Sequence, residues 1–212
     1  MELVRGFKGL KPRHRGTVAT IGNFDGVHLG HQAVLRELTV RARELGMPAT
    51  VVLFEPMPQE YFSPVRTPAR LTRFGEKWPL LAAAGVERVL CLTFGRELAE
   101  MLPETFIERV LVQGLSVRHL AVGDDFRFGK ERRGDFVMLQ QAGAANGFEV
   151  ADTASLMLEG GWVSSSRIRA LLIEGEMQAA ARLLGRPYSL SGRVMRGEQL
   201  GRKLGFPTAN ID

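Results

Sequence analysis

The sequence predicts an α/β fold in which helices cover a parallel sheet. Short apolar runs rich in β-branched residues alternate with segments of helical periodicity, and glycine or proline stands at the joins. Such alternation is typical of consecutive βαβ units, whose strands pair in parallel. The chain has 212 residues, 45% of them hydrophobic and 24% charged. This is enough for one sizeable core with a small addition.

The expected elements follow one another regularly between residues 15 and 153. RGTVATIG (15–22) predicts a strand, and HQAVLRELTVRARELG (31–46) predicts a helix, because its apolar residues recur on one face and Gly46 suits its C-terminus. ATVVLFEP (49–56) is almost entirely apolar, as expected for a strand buried on both faces. Next come a proline-rich loop (57–70), a helix (74–84), a strand (87–94), a helix (103–115), a strand (118–126), a helix (134–147) and a strand (148–153).

Beyond residue 163 the pattern becomes helical and then changes character. Two further helices are expected over 164–175 and 176–185, then a lone strand over 188–197 and a loop over 198–212. We therefore expect a main domain, residues 1–186, and a segment, 187–212, that is too short to form a core alone. That segment either docks on the main domain or begins a second one.

Composition narrows the classes of function. The net charge of +5 favours an anionic partner, and a small phosphate-bearing substrate fits better than nucleic acid because no lysine-rich tail or basic stripe is present. No apolar run approaches the roughly 18 residues of a membrane span, and the N-terminus lacks the apolar core of a secretory signal. The single cysteine, Cys91, lies in an apolar run and is interpreted as a core residue. We expect a cytoplasmic protein without a membrane or nucleic-acid partner.

The stretch GNFDGVHLGH (22–31) lies between the first expected strand and its helix. A tight glycine turn there aims free backbone N–H groups and the positive end of a helix dipole at the strand's end, which makes an anion site. His28 and His31 are three residues apart, so on a first helical turn both could donate to phosphoryl oxygens. A plain turn with one capping histidine is the simpler alternative. A zinc site completed by Asp25 is disfavoured by the spacing, and neither a dinucleotide fingerprint nor a P-loop occurs.

A second cluster, VSSSRIR (163–169), opens a later helix with three hydroxyls and two arginines. Hydroxyl groups, helix N-terminal amides and guanidinium groups together suit a phosphate clamp. One serine capping the helix, with surface arginines beside it, is the alternative.

These motifs add up to a family resemblance. GNFDGVHLGH resembles the G-x-F-D-x-x-H-x-G-H signature of nucleotidyltransferases, and SSSRIR resembles their second phosphate motif. Three more stretches resemble bacterial bifunctional FAD synthetases, which join a riboflavin kinase module to an FMN adenylyltransferase module. They are VGDDFRFGK (122–130), FEPMP (54–58) with the aromatic pair at 61–62, and LGRKLGFPTAN (200–210). The resemblance implies a Rossmann-like parallel sheet of the HxGH nucleotidyltransferase type, followed by the first strand and loop of an incomplete β-barrel module.

The resemblance also implies a reaction and its residues. The chain would transfer the AMP moiety of ATP to FMN, giving FAD and pyrophosphate, with Mg²⁺ on the phosphates and His28, His31 and Arg169 as catalytic residues. The implied ATP-binding residues are Gly22, Phe24, Asp25, His28, Gly30, His31, Ser165, Ser166 and Arg169. The implied flavin-binding residues are Pro56, Pro58, Phe62, Asp125, Phe126 and Phe128, of which the aromatic ones also suit a core.

The tail resembles the opening of the kinase module, where Thr208 and Asn210 would lie at its Mg²⁺ site. Because the chain stops soon after Asn210, riboflavin phosphorylation is expected of the full-length protein and not of this chain. Three alternatives stay open: a nucleotidyltransferase for another phosphate-bearing small molecule, a fragment of a class I aminoacyl-tRNA synthetase, and a nucleic-acid binder without catalysis.

Overall fold

A computed structural model describes residues 1–153, 156–195, 200–206 and 210–211. Its centre is a six-stranded parallel sheet with the strand order β1-β4-β3-β2-β5-β6. Its strands are β1 (Glu2–Arg5), β2 (Thr17–Ile21), β3 (Ala49–Glu55), β4 (Arg88–Thr93), β5 (Val117–Val122) and β6 (Glu149–Asp152). A separate antiparallel pair consists of β7 (Met157–Leu158) and β8 (Gly161–Trp162). The predicted α/β class with a Rossmann-like parallel sheet is confirmed. The edge strand β1 was not predicted, and it pairs Leu3 with Val89 of β4.

The helices are α1 (Leu29–Glu44), α2 (Pro58–Phe62), α3 (Phe74–Ala83), α4 (Arg96–Ala99), α5 (Pro103–Phe106), α6 (Phe136–Asn146), α7 (Ser165–Ile173), α8 (Met177–Leu184) and α9 (Leu200–Lys203). A π-helical stretch, Ile107–Val112, continues α5. Helix α1 begins two residues earlier than predicted because the His28 side chain caps it. The expected loop over 57–70 contains α2, where Pro58 occupies the first turn without losing a hydrogen bond.

Apolar side chains cover both faces of the sheet. One buried cluster joins the sheet to α6 and to the π-helical stretch, and includes Leu111, Leu120 and Leu139. A cluster on the other face joins it to α1 and α3 and includes Leu35 and Leu81. Cys91 belongs to this second cluster, so its prediction as a core residue is confirmed. A third cluster holds α7 and α8 together through Ile168 and Leu183.

The strand order creates a crevice at one edge of the sheet. From β2 the chain moves outward through β3 and β4, and it then returns to place β5 on the other side of β2. Ligands of open parallel sheets bind outside the carboxyl ends of the strands at such a switch point. Here the crevice lies between the residues that follow Ile21 and those that follow Val122.

The segment after α8 differs from its prediction. The expected strand over 188–197 is the short β9 (Val194–Met195), and the expected loop contains α9 and a short strand, β10 (Asn210–Ile211), which pairs antiparallel with β9. The Ser191 amide donates to a Glu76 carboxylate oxygen at 2.7 Å, so the segment contacts α3. The domain boundary after residue 186 stays a prediction.

Candidate active site

The glycine loop, residues 22–28, connects β2 to α1 and has an unusual backbone. Gly26 has φ +83°, a conformation open to glycine, but Phe24 and Val27 also have positive φ, +48° and +39°. Residues with a Cβ adopt such angles at a cost of about 1–3 kcal/mol, so surrounding contacts must hold them.

Polar side chains from two helices and from two neighbouring loops provide those contacts. Lys77 of α3 donates to the Asn23 carbonyl at 2.9 Å, and the Gly26 amide donates to the Thr72 hydroxyl at 2.8 Å. Behind the loop, Arg186 donates to the Gly26 carbonyl at 2.8 Å. Gln32 of α1 joins the Val27 carbonyl (2.9 Å) to the Leu184 carbonyl (3.0 Å), which ties the loop to the end of α8. The strained loop is therefore fixed from several directions.

The two predicted histidines form a stacked pair at the start of α1. Their ring centroids lie 3.6 Å apart with planes 17° from parallel, and the Phe24 ring lies 4.9 Å from that of His31. His28 Nδ1 accepts a hydrogen bond from the His31 amide at 3.3 Å. In the neutral ring the proton then lies on Nε2, which is free to donate to a ligand.

Burial keeps both rings neutral near pH 7. Desolvation lowers the pKa of His28 to about 4, against the opposing charge of Asp25. Desolvation also lowers the pKa of His31 well below its ordinary value; repulsion from His28 when that ring is protonated, and from the Lys77 cation, lowers it further. The pair can thus offer N–H donors to an anion without carrying charge itself.

Asp25 lies beneath the loop as a structural anchor. Its carboxylate is 3% exposed and accepts from the amides of Leu71 and Thr72, at 3.0 Å and 2.9 Å. Arg169 of α7 donates to the same carboxylate at 2.6 Å and to the Ala69 carbonyl at 2.7 Å. The sequence analysis expected Asp25 and Arg169 to contact ATP, and it did not foresee that they bind each other.

The N-termini of α7 and α1 meet beside this ion pair. Ser164 caps α7, with its hydroxyl accepting from the Arg167 amide at 3.2 Å, whereas Ser165 donates to the Asp25 carbonyl at 2.9 Å. Ser166 is exposed. A Cβ on Gly30 would lie 3.2 Å from both the His28 ring and the Val163 carbonyl, so a larger residue here would press against both. Two helix N-termini aimed at one place make a strong anion site.

A cavity of about 930 Å³ extends from the glycine loop along the carboxyl ends of the strands. Gly22 and Asn23 form part of its wall, and the predicted flavin residues Pro58, Phe62, Asp125, Phe126 and Phe128 form another. Pro56 is exposed and lies outside this wall. Phe128 also packs in the core against Phe106, as its alternative interpretation expected, and its flavin contact stays a prediction.

The sequence analysis missed several residues of the cavity wall. Phe54 at the end of β3 and Phe94 just after β4 meet edge to face, with ring centroids 5.9 Å apart, and Phe62 lies 5.6 Å from Phe94. Only their position after neighbouring strands could have indicated them. Four basic residues also line the cavity: Arg66, Arg127, Lys130 and Arg132.

The wall that carries Phe62 is fastened by an ionic cluster. Arg70 pairs with both Glu55 and Glu60, and its guanidinium lowers the pKa of Glu60. Glu60 also accepts from the Met57 amide at 2.8 Å, which fixes the start of α2. These contacts hold α2 against the end of β3.

Metal ligands are scarce in this site. Within the described ranges, no group of three or more His, Cys, Asp or Glu residues could hold a metal ion. Of the two predicted magnesium residues of the kinase module, Asn210 lies in β10 and Thr208 lies outside the described residues.

Two family models match different parts of this chain. The family model for FAD synthetase matches residues 10–167, and that for riboflavin kinase matches residues 184–212. Relatives named bifunctional riboflavin kinase/FMN adenylyltransferase are 51% identical in Pseudomonas fluorescens, 47% in Escherichia coli K12 and 48% in Haemophilus influenzae. Each alignment covers 100% of this chain and 68% of the relative.

The fold also has a solved neighbour. A crystal structure described as a macrolide-efflux protein from Streptococcus pneumoniae matches with a TM-score of 0.82 and 26% identity, over 100% of this chain and 69% of that one. In the part of the chain that the structure describes, no helix combines the length and apolarity needed to cross a membrane. The match over residues 10–167 and the relatives at 47–51% identity show that the chain belongs to the FAD synthetase family, the bifunctional riboflavin kinase/FMN adenylyltransferases.

Proposed function

We propose that this chain transfers the AMP moiety of ATP, supplied as its Mg²⁺ complex, to FMN and so forms FAD and pyrophosphate. One observation carries the proposal: the glycine loop that leads into the anion site at the two helix N-termini also forms, through Gly22 and Asn23, part of the wall of an aromatic cavity of about 930 Å³. The first feature suits the phosphates of ATP. The second suits a flat, largely apolar isoalloxazine ring beside them.

The reaction needs positioning and charge stabilisation rather than a covalent intermediate. A phosphate oxygen of FMN attacks the α-phosphorus of ATP, a P–O bond forms, and the bond to the β-phosphate bridging oxygen breaks to release pyrophosphate. The neutral rings of His28 and His31 donate N–H groups to the oxygens on which charge builds, and the peptide N–H groups at the start of α1 add to this. The low pKa of His28, about 4, suits a donor that stays uncharged until the polyanion binds.

The far side of the anion site would receive the leaving pyrophosphate. Ser165 and Ser166 lie in the first turn of α7, whose dipole favours negative charge. Asp25 holds the Arg169 guanidinium at 2.6 Å and so fixes its direction, which leaves other N–H groups of Arg169 for a phosphate. Gly22, Phe24 and Gly30 contribute backbone that a phosphate can approach closely.

The flavin would lie between the walls of the cavity. The rings of Phe126 and Phe128 are nearly parallel, with planes 15° apart and centroids 5.6 Å from each other. Phe62, at the end of α2, is 64% exposed. An exposed aromatic side chain at a cavity mouth is well placed to cover an incoming ring. Pro58 and Asp125 complete the proposed flavin set, and Pro56 supports the turn before α2.

The second part of the proposal concerns residues 187–212. We assign them to the beginning of a riboflavin kinase module, in which Thr208 and Asn210 would lie near the Mg²⁺ and phosphates of a second ATP. Support comes from the riboflavin kinase family match over residues 184–212. Riboflavin phosphorylation by the full-length protein and the lack of a nucleic-acid partner belong to the same proposal.

The test uses purified chain with ATP, Mg²⁺ and FMN, and follows FAD and pyrophosphate by chromatography. Riboflavin in place of FMN should give no FAD, because it lacks the attacking phosphate. His28→Ala or His31→Ala should lower kcat by about 10²–10³, the effect of losing one charge-stabilising donor. His119→Ala, on β5 and outside the glycine loop, serves as the matched control. No FAD from wild-type protein would refute the proposal, and release of pyrophosphate with a different phosphate-bearing acceptor would redirect it.

A further inference from the structure

Lys77 is a buried cation that the proposed reaction has not used. Only 2% of the residue is exposed, although lysine is rarely buried without a partner. It lies on the inner face of α3, where Leu81 is its buried neighbour one turn later. Desolvation lowers the pKa of Lys77, while the charges of Asp25 and Glu55 oppose that shift. A lysine kept at this cost beside an active site calls for a functional explanation.

The one side-chain hydrogen bond of Lys77 within the described residues goes to the glycine loop. Its Nζ donates to the carbonyl oxygen of Asn23 at 2.9 Å. The ammonium group thus binds a single backbone atom, and that atom belongs to a loop that lines the cavity. A charge-assisted hydrogen bond of this kind is about twice as strong as a neutral one.

This bond sets the direction of the next peptide group. The 23–24 peptide is trans, and in a planar trans peptide the C=O and the following N–H point in opposite directions. With the Asn23 carbonyl turned toward Lys77, the Phe24 N–H must point away from it. Among the described residues that N–H has no protein acceptor. The left-handed backbone of Phe24, φ +48°, needs an outside contact to persist.

The consequence reaches the histidines. The Phe24 ring lies 4.9 Å from the His31 ring, which stacks on His28 at 3.6 Å. If the Asn23 carbonyl were released, relaxation of the left-handed backbone at Phe24 would shift its ring and with it the packing of His31. The ammonium group of Lys77 is therefore linked to both histidines through three contacts: Lys77 with the Asn23 carbonyl, Phe24 with His31, and His31 with His28.

We propose that Lys77 is a positioning residue for adenylyl transfer: by holding the Asn23 carbonyl it fixes the 23–24 peptide and, through Phe24, the His31–His28 stack. The inference rests on the proposed function, since it assigns Lys77 a role in that reaction. A misplaced catalytic group about 1 Å from its proper position can cost roughly 10²-fold in rate. The role predicts a loss in kcat and little change in the KM for ATP.

Three variants separate the hydrogen bond from the charge. Lys77→Met fills the same space and removes both, and Lys77→Gln keeps an N–H donor for the Asn23 carbonyl but no charge. Lys8→Met removes one positive charge from an exposed position and is the matched control. Because Met avoids burying a charge, we expect the Met variant to fold with an unchanged or higher melting temperature.

The readouts are FAD formation and amide hydrogen exchange of the peptide that spans residues 22–28. We expect Lys77→Met to lower kcat about 10–100-fold with the KM for ATP within about threefold, and to speed exchange in the loop. Lys77→Gln should recover most of both losses, and Lys8→Met should match wild type. The exchange measurement needs no turnover, so it tests the inference even if FAD formation by wild type fails and the proposed function falls with it.

Two results would overturn the inference. One is a Lys77→Met variant whose kcat stays within about twofold of Lys8→Met while loop exchange is unchanged. The other is an equal loss in the Met and Gln variants with normal exchange, since the charge and not the hydrogen bond would then be required. Should the Met variant not fold, the Gln variant decides alone: a kcat more than about tenfold below that of Lys8→Met would refute positioning through the Asn23 carbonyl.

Discussion

Replacing Asp25 with asparagine should destabilise the whole α7–α8 unit. The change keeps the shape of the side chain and can keep its acceptance from the amides of Leu71 and Thr72, but it removes the negative charge that faces Arg169 at 2.6 Å. The exposed fractions of the two side chains are only 4% and 16%, so water cannot replace the lost partner. Breaking a buried ion pair by removing one member costs about 3–5 kcal/mol.

That cost converts into a measurable shift of the melting temperature. For a chain of this size each kcal/mol corresponds to about 2–4 °C, so Asp25→Asn should melt about 6–20 °C below wild type. Glu159→Gln is the control, because its partner Arg182 is similarly charged but both side chains are about half exposed, 42% and 55%. An exposed pair contributes at most about 1 kcal/mol.

The assay is urea unfolding at pH 7.5 followed by circular dichroism, with the melting temperature as a second measurement. If Asp25→Asn and Glu159→Gln lost the same free energy of unfolding, within about 1 kcal/mol, the buried pair would not hold the unit and the reasoning would fail. Adding Arg169→Met to Asp25→Asn should then recover part of the loss, since the orphaned cation is removed.

Further predictions concern the loop, the cavity and pH. Gly30→Ala should lower the free energy of unfolding by about 1–3 kcal/mol and slow FAD formation, since the new Cβ would meet the His28 ring and the Val163 carbonyl at 3.2 Å. In the control, Gly75→Ala, a Cβ meets nothing within 4 Å, so the free energy of unfolding should stay the same or rise by up to about 1 kcal/mol. Phe62→Ala should raise the KM for FMN about tenfold at an unchanged melting temperature, whereas Val65→Ala, at a residue 97% exposed, should change neither. Burial lowers the folded-state pKa of His28 to about 4, so the neutral ring favours the folded state. Its contribution to the free energy of unfolding, about 3 kcal/mol, should be complete above pH 6.5 and be lost as the pH falls toward 4. In urea unfolding, His28→Gln should flatten that pH dependence, and an equally steep curve in the variant would contradict the assignment.

The central part of the fold could be predicted from sequence because its signals are local. The strands from β2 to β6 are short apolar runs, and the helices between them show the period of an amphipathic helix. Strand β1 was missed because its four residues, ELVR, carry charge at both ends and acquire their place only by pairing with β4.

The site divides in the same way. His28, His31 and the serines of α7 lie in compact motifs, so the sequence analysis could name them as candidates. The partnership of Asp25 with Arg169 spans 144 residues and that of Lys77 with Asn23 spans 54, so no local pattern could indicate either. Phe54 at the end of β3 and Phe94 just after β4 were missed for the same reason, since only the strand order brings them to one cavity.

Arg186 lies near the boundary between the two family matches and contacts the segment on the other side of it. It belongs to the range that matches riboflavin kinase, residues 184–212, yet its guanidinium holds the Gly26 carbonyl of the adenylyltransferase loop at 2.8 Å. The start of the riboflavin kinase match at residue 184 therefore does not coincide with the end of the contacts that hold the glycine loop. A chimera that takes its second module from another relative should be joined after residue 186. With a join at residue 184, the residue that holds the Gly26 carbonyl would come from the other protein and not from this chain.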